Sequence, residues 1–599
     1  MRVTDPMAFF FIFVMLVALP GCSGNEGQNL PVNTVAVSQH CIGCHASNGM
    51  SISPVTGGVI TAEWLNSPHN TSNPANTSGI GAGCPNCHTP SHNHPDNCGQ
   101  CHGGSSAIAA SFINPDATLQ CNVCHAPASE IKPLGAPHFN NNFTGATHQA
   151  QYVDLQNQGK CRNCHNPHDN IVFRENRDWA VSGHGDVNGG AWTTEDFKNN
   201  AGCIRCHTAT GYINYVTSTP AFTLPAAPLP ASETYGVLGC NACHAGYAFK
   251  NSVRNVARYT APYNSGLSPQ SFPDVGYTNI CIPCHAGREN GDTIKGITDF
   301  TDAGFKSSHS MAAAGLMYMK VGFTSFTSAG AVIGTSTYGK SLSPDTSVPG
   351  GVTGGVSSTH RKLGTNAINY DNHNMTFFIP GVLDANGPCN TCHLNANGQP
   401  YRTSSHSLRI DANAFNQVCT YCHTSKVGVP LSEANFQTVF LEPQSTAFKN
   451  ALALAVSLLQ SKYNIRYDPA SYPFFFELSS GQAIRDWTRG TSDQKLGLKL
   501  MGACFNINLL HGDPAAYAHA RTYTRRLIYD TIDFLDNGEI NLSVGATAIA
   551  TLPATYGKNA TNAFTDGSLT ALAPGTTESM IFLIGWSRTT GLWSTPERP

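Results

Sequence analysis

Charge is scarce in this chain. Lys, Arg, Asp and Glu make up 12% of its 599 residues, and the formal net charge is −3. A balance so near neutral gives no sign of a nucleic-acid partner. Gly, Ser, Thr, Asn and Pro are abundant instead, which disfavours long helices and favours irregular backbone. Long hydrophobic runs are lacking as well. The apolar run from Ala8 to Leu19 is too short for a comfortable membrane span. Methionine is rare, with ten residues, three of them before Cys22.

Cysteine is plentiful and strictly arranged. Twenty of the 22 cysteines fall in ten Cys-x-x-Cys-His motifs, leaving Cys22 and Cys504. The thiol pairs are Cys41 and Cys44, Cys84 and Cys87, Cys98 and Cys101, Cys121 and Cys124, and Cys161 and Cys164. The later ones are Cys203 and Cys206, Cys240 and Cys243, Cys281 and Cys284, Cys389 and Cys392, and Cys419 and Cys422. This is the attachment signature of c-type haem: two thiols form thioethers to the porphyrin, and the adjacent His ligates iron. Zinc also uses Cys-x-x-Cys pairs, but it gathers four ligands from two half-sites. Here every pair carries its own His, a regularity that neither zinc nor a disulfide framework explains. Ten covalently attached c-type haems are therefore expected. The proximal ligands are His45, His88, His102, His125, His165, His207, His244, His285, His393 and His423.

A low-spin electron-transfer haem needs a second axial ligand. Fourteen His lie outside the motifs, enough for ten mostly bis-His sites, and scarce Met is the poorer choice. Several share a local form, with a small residue or Pro before the His and an aromatic or apolar residue upstream. His69, His184, His309 and His406 fit it well; His138 and His148 fit more loosely. A small neighbour lets a haem face approach the backbone, and the aromatic can pack on the macrocycle. His168, two residues after Pro167's neighbour Asn166, follows a motif closely enough to serve a neighbouring haem. One of His92 and His94 is expected to ligate, with His94 taken as the candidate. His360, His373 and His519 complete the expected set. No spare His lies between His207 and Cys240, or between His244 and Cys281. The sixth, seventh and eighth motifs must recruit ligands from afar, and the long interval from His285 to Cys389 is expected to fold back with some of them.

The expected fold is a mainly irregular and α-helical multihaem cytochrome, nucleated by haem and largely unfolded without it. Five of the nine intervals between motif starts lie near forty residues, a loose repeat. Residues 1–21 read as a signal peptide and 22–38 as a lipidated tether. A haem-binding region at 39–300 holds motifs one to eight. An insertion at 301–388 carries distal His and a β-rich stretch from Val321 to Val356. Motifs nine and ten occupy 389–430, and 431–599 reads as a helical region. There, Ala447 to Leu459 and Asp493 to Leu510 are predicted helices, with Leu500, Cys504 and Ile507 on one buried face. A third helix is predicted after Asp513-Pro514, with Asp513 as N-cap and Asn537-Gly538 as its stop. Its apolar stripe is Ala516, Ala520, Tyr523, Leu527 and Phe534.

The N-terminus fits an export signal. Leu19-Pro20-Gly21-Cys22 is similar to a bacterial lipobox, which would put a lipid anchor on Cys22. An ordinary cleaved signal is the alternative, and both readings export the chain.

The ten motifs, the lipobox-like segment and the Ser-x-His distal segments together resemble the outer-surface multihaem c-type cytochromes of metal-reducing bacteria. The segment from Asn508 to His519 also looks like one recurring in such proteins. That resemblance implies a decahaem electron carrier at the outer membrane, on the cell surface or the periplasmic face. It implies redox-partner cytochromes, an outer-membrane porin and extracellular acceptors such as metal oxides as partners. Two alternatives stand beside the electron conduit. One is a multihaem reductase with an open haem site, against which the absence of a Cys-x-x-Cys-Lys motif and the surplus of His argue. The other is a subunit of a haem-wired extracellular filament.

Overall fold

A computed structural model describes residues 33–46, 59–74, 178–179, 181–186, 195–229, 238–245, 253–263, 270–309, 311–328, 331–333, 336–337, 358, 360–364, 387–394, 406–410, 412–426 and 429–544, with isolated positions elsewhere. The chain forms two compact units, Met1–Arg177 and Asp178–Pro599.

In the first unit a helix spans Thr34–His45, started by Asn33, whose side chain accepts from Ala36 N at 3.0 Å. The helix begins inside the stretch read as a tether, so residues 34–38 are not free chain. The reason is side-chain bonding. Thr34 Oγ1 accepts from Thr71 N at 2.9 Å, and Ser38 Oγ accepts from Cys84 N at 2.9 Å, both from buried positions. A second short helix, Ile60–Leu65, buries Trp64.

In the second unit regular structure is brief until the last third. The attachment motifs form short helices of one to two turns: Ala201–His207, Cys240–Cys243, Ile282–His285 and Gly387–His393. The tenth motif makes a tighter turn at Cys419–Tyr421. Such a turn places both thiols and the following His on one side of the backbone, as attachment to one macrocycle requires. Strands occur only as two-stranded antiparallel hairpins among the described residues. Within Val321 to Val356 one of these pairs Val332–Ile333 with Ser336–Thr337. Most of the rest of that β-rich stretch lies outside the described residues.

The core sits in the C-terminal third. Helix α1, Glu442–Tyr463, starts with Pro443 in its first turn and ends at Asn464, in the left-handed region at φ 57°. Helix α2, Gln494–Gly512, is capped by Asp493, which accepts from Lys495 N at 2.9 Å. Every residue from Leu500 to Leu510 is buried, so the expected stripe is part of a helix enclosed all round, and Cys504 is fully buried. Phe300, Phe305, Phe323 and Phe326 from the preceding segment join this core. Phe326 stacks on Phe534, and Phe305 packs against Phe475 and Trp487. Buried Asn506 clamps the segment in place: its amide donates to Phe323 O at 2.9 Å, and its carbonyl accepts from Phe323 N at 2.7 Å.

The third helix differs from expectation. It is split into α3, Ala516–His519, and α4, Arg521–Asn537, with Ala520 non-helical at φ −152° and ψ 61°. Its N-cap residue is Ala515, not Asp513. The break has a use: an unbroken helix would bond the Ala518 carbonyl internally. Here that carbonyl faces His360 Nδ1 at 2.9 Å. The predicted stop is present, with Gly538 at φ 87°. The predicted stripe of Ala516, Ala520, Tyr523, Leu527 and Phe534 is buried throughout. No described helix is long and apolar enough to cross a membrane.

Candidate haem centres

Ser-x-His is a structural device before it is a ligand pattern. Ser67, Ser307 and Ser358 each accept a hydrogen bond from the backbone N–H of the His two residues on, at 3.2, 3.1 and 3.1 Å. Ser182 accepts instead from Gly185 N at 3.1 Å, wrapping the turn that holds His184. The hydroxyls of Ser67 and Ser182 donate to the carbonyls of Trp64 and Trp179, at 2.9 and 2.7 Å. These buried serines pin tight turns whose tips present an imidazole. The upstream aromatic anchors the turn through its own carbonyl.

The tips meet the motif histidines in pairs. His207 and His309 have ring centroids 5.9 Å apart, and His184 and His285 are 6.0 Å apart. His360 and His423 are 6.2 Å apart, His393 and His519 also 6.2 Å, and His244 and His406 6.4 Å. An imidazole nitrogen lies about 2 Å from a metal it ligates, and the ring centre roughly 1 Å beyond, so two rings on opposite sides of one metal stand about 6 Å apart. All five pairs have that spacing. Each joins one motif His to one His from outside the motifs, and none is shared.

Second partners fix the rings. His285 Nδ1 lies 2.8 Å from Met311 O, and His393 Nδ1 lies 2.8 Å from Leu408 O. With His360 on Ala518 O, these are contacts to carbonyls, which only accept. The proton therefore sits on Nδ1, and the Nε2 lone pair is left for a metal. Phe197 stacks on His207 at 4.0 Å between centroids, clamping that ring. Burial pushes His184, His207 and His423 down to about 4, keeping them neutral and nucleophilic. His285, His309, His360 and His393 are lowered by the same cause. His519 runs the other way. Burial alone would lower it, but the Asp513 carboxylate, 2.8 Å from its Nδ1, outweighs burial and raises it.

The motifs themselves touch. Cys206 of the sixth motif lies 3.9 Å from Pro283 O and within hydrogen-bonding reach of Cys284, both in the eighth. Cys281 of the eighth reaches Asn390 of the ninth at 3.8 Å, beside Cys389. Thr278 Oγ1 accepts from Cys389 N at 3.1 Å and fixes this contact. Cys243 of the seventh interacts electrostatically with Cys281 and Cys284. Cys392 of the ninth interacts likewise with Cys419 of the tenth. The eighth motif thus adjoins three others.

The donor set fits c-type haem: a thiol pair, a proximal imidazole and an opposing imidazole at the right distance, five times over. No group of three or more His, Cys, Asp or Glu that could hold a bare metal ion is found among the described residues. Of the expected ligands, His69 follows the helix Ile60–Leu65 in the first unit. His88, His94, His102, His125, His138, His148, His165, His168 and His373 lie outside the described residues, as do Cys87 and the thiols of motifs three to five. Sequence reasoning missed Asp513 as a partner of His519, although it stands six residues before it.

The chain is similar to the C-type polyheme cytochrome OmcB of Geobacter sulfurreducens, in two strains. The likeness is 26% identity over 560 residues, 78% of this chain and 68% of that protein. It is also similar to the C-type polyheme cytochrome OmcC of the same species, at 27% identity over 435 residues, 66% of this chain and 51% of that protein. No protein-family model matches the chain, and no solved structure does. These relatives are polyhaem c-type cytochromes, and this chain's ten Cys-x-x-Cys-His motifs are of the kind that attach c-type haem.

Proposed function

We propose that the chain is a decahaem electron conduit in which irons are held between two imidazoles. The five His pairs, 5.9 to 6.4 Å apart, carry this reading. The covalently bound haem supplies reversible one-electron exchange. The chain's residues do the rest. Motif thiols would hold each macrocycle, and in the five described pairs the two imidazoles would hold the iron between them, leaving no room there for a substrate. Nδ1 contacts to carbonyls orient the rings and raise their basicity. In the first unit and the undescribed segments, His69, His94, His138, His148, His168 and His373 are the candidates to complete the remaining centres. Motif eight, adjoining motifs six, seven and nine, acts as a junction where electron paths meet.

Export, a lipid on Cys22 and work at the outer membrane complete the proposal, with partner cytochromes, a porin and extracellular metal oxides as redox partners. The lipobox-like Leu19-Pro20-Gly21-Cys22 supports the anchor. Low-temperature electron paramagnetic resonance of the oxidised, haem-loaded protein tests the conduit. The proposal expects low-spin signals only, and no carbon monoxide binding after reduction. A high-spin, ligand-exchangeable haem would replace it with the reductase reading. Radiolabelled palmitate should enter the wild type and not Cys22→Ser; equal labelling of both, or none, removes the anchor.

A further inference from the structure

We infer that the buried Asp513 carboxylate, bonded to His519 Nδ1, lowers the reduction potential of the haem that His393 and His519 would hold. The inference rests on the axial pairing proposed above.

Asp513 closes α2 and is wholly buried, its side chain 1% exposed. Its Oδ2 lies 2.8 Å from His519 Nδ1, and its Oδ1 accepts from Ala515 N at 3.1 Å. The carboxylate is thus held in one orientation from both sides. Among the described ring contacts, His285, His360 and His393 meet neutral backbone carbonyls. His519 meets a carboxylate there instead. A carboxylate draws the Nδ1 proton toward itself and gives the opposite nitrogen imidazolate character. That nitrogen then donates more strongly to iron and favours the ferric state. The buried negative charge acts in the same direction, because oxidation adds positive charge at the iron nearby.

The consequence is directional. Motif nine stands between motif ten and motif eight. One electron arrives from one neighbour and leaves to the other, with no bond made or broken. A low-potential haem at that position is an uphill step, and Asp513 sets its height. Asp513 is a positioning and tuning residue, acting through His519.

Asp513→Asn tests this in the full haem-loaded chain, because the amide keeps an acceptor for Ala515 N and loses the charge. Potentiometric titration followed by absorbance should show one fraction, about one haem in ten motifs, move upward while the rest stay in place. All haems should stay low-spin, and Asp513→Glu should titrate as the wild type. An unchanged Asp513→Asn titration, or an equal shift in Asp513→Glu, overturns the inference. The ferric spectrum is a second readout: one low-spin species should weaken in axial field between the wild type and Asp513→Asn, and an unchanged spectrum also overturns the inference. His519→Ala separates the two ideas. If it leaves every haem low-spin, the axial pairing is wrong; if it yields one high-spin haem while Asp513→Asn changes nothing, only the tuning is wrong.

Discussion

At the residue scale, Ser-x-His shows how a local pattern becomes a ligand site. Ser307 and Ser358 spend their hydroxyl oxygens on the N–H of His309 and His360, which fixes where each imidazole emerges. For His309 that much was legible in the sequence, since Phe305, Ser307 and the His recur as a pattern; His360 has the Ser but no aromatic upstream. The partner of each was not legible: His309 meets His207 and His406 meets His244, across long stretches of chain with no local signal. His309→Ala is predicted to turn one low-spin haem into a high-spin one, seen by paramagnetic resonance, with added imidazole restoring the low-spin signal. Ring orientation gives a finer prediction. His207 with His309, and His184 with His285, cross at 79°, whereas His244 and His406 lie at 25°. Crossed rings leave the iron d orbitals nearly degenerate, and near-parallel rings split them. The crossed pairs should give large-g low-spin signals and the near-parallel pair a rhombic one.

At the element scale, the C-terminal helices were the most readable part. Asp493, Pro443 and Gly538 mark ends that follow from capping chemistry. The break at Ala520 was not readable, because it serves a bond to His360 far away in sequence. The role of Phe323 was equally hidden, since it depends on Asn506 from α2. Asn506→Leu strands the Phe323 N–H and carbonyl in the core. It should lower stability by about 2–3 kcal/mol, the order of cost for buried polar groups left unpaired. Thermal unfolding followed by circular dichroism checks this, and a melting temperature equal to the wild type would contradict it.

At the scale of the whole molecule, the proposed ligation would knit the second unit together. All five pairs join a motif to a His at least 63 residues away, so each centre would close a large loop and haem binding would contribute to folding. Removing attachment at motif eight, with Cys281→Ala and Cys284→Ala together, should therefore disturb motifs six, seven and nine as well. Haem content by pyridine haemochrome and peptide mass spectrometry should fall by more than one haem, whereas Cys419→Ala with Cys422→Ala should cost motif ten and affect motif nine alone. Equal, single-haem losses would argue against a junction.

The most direct test is to locate the irons in the haem-loaded protein, by anomalous diffraction or electron cryomicroscopy. The account predicts one iron midway between the rings of each pair: His184 with His285, His207 with His309, His244 with His406, His360 with His423, and His393 with His519. An iron bound by one of these motif histidines and a different sixth ligand, or by none, would contradict it.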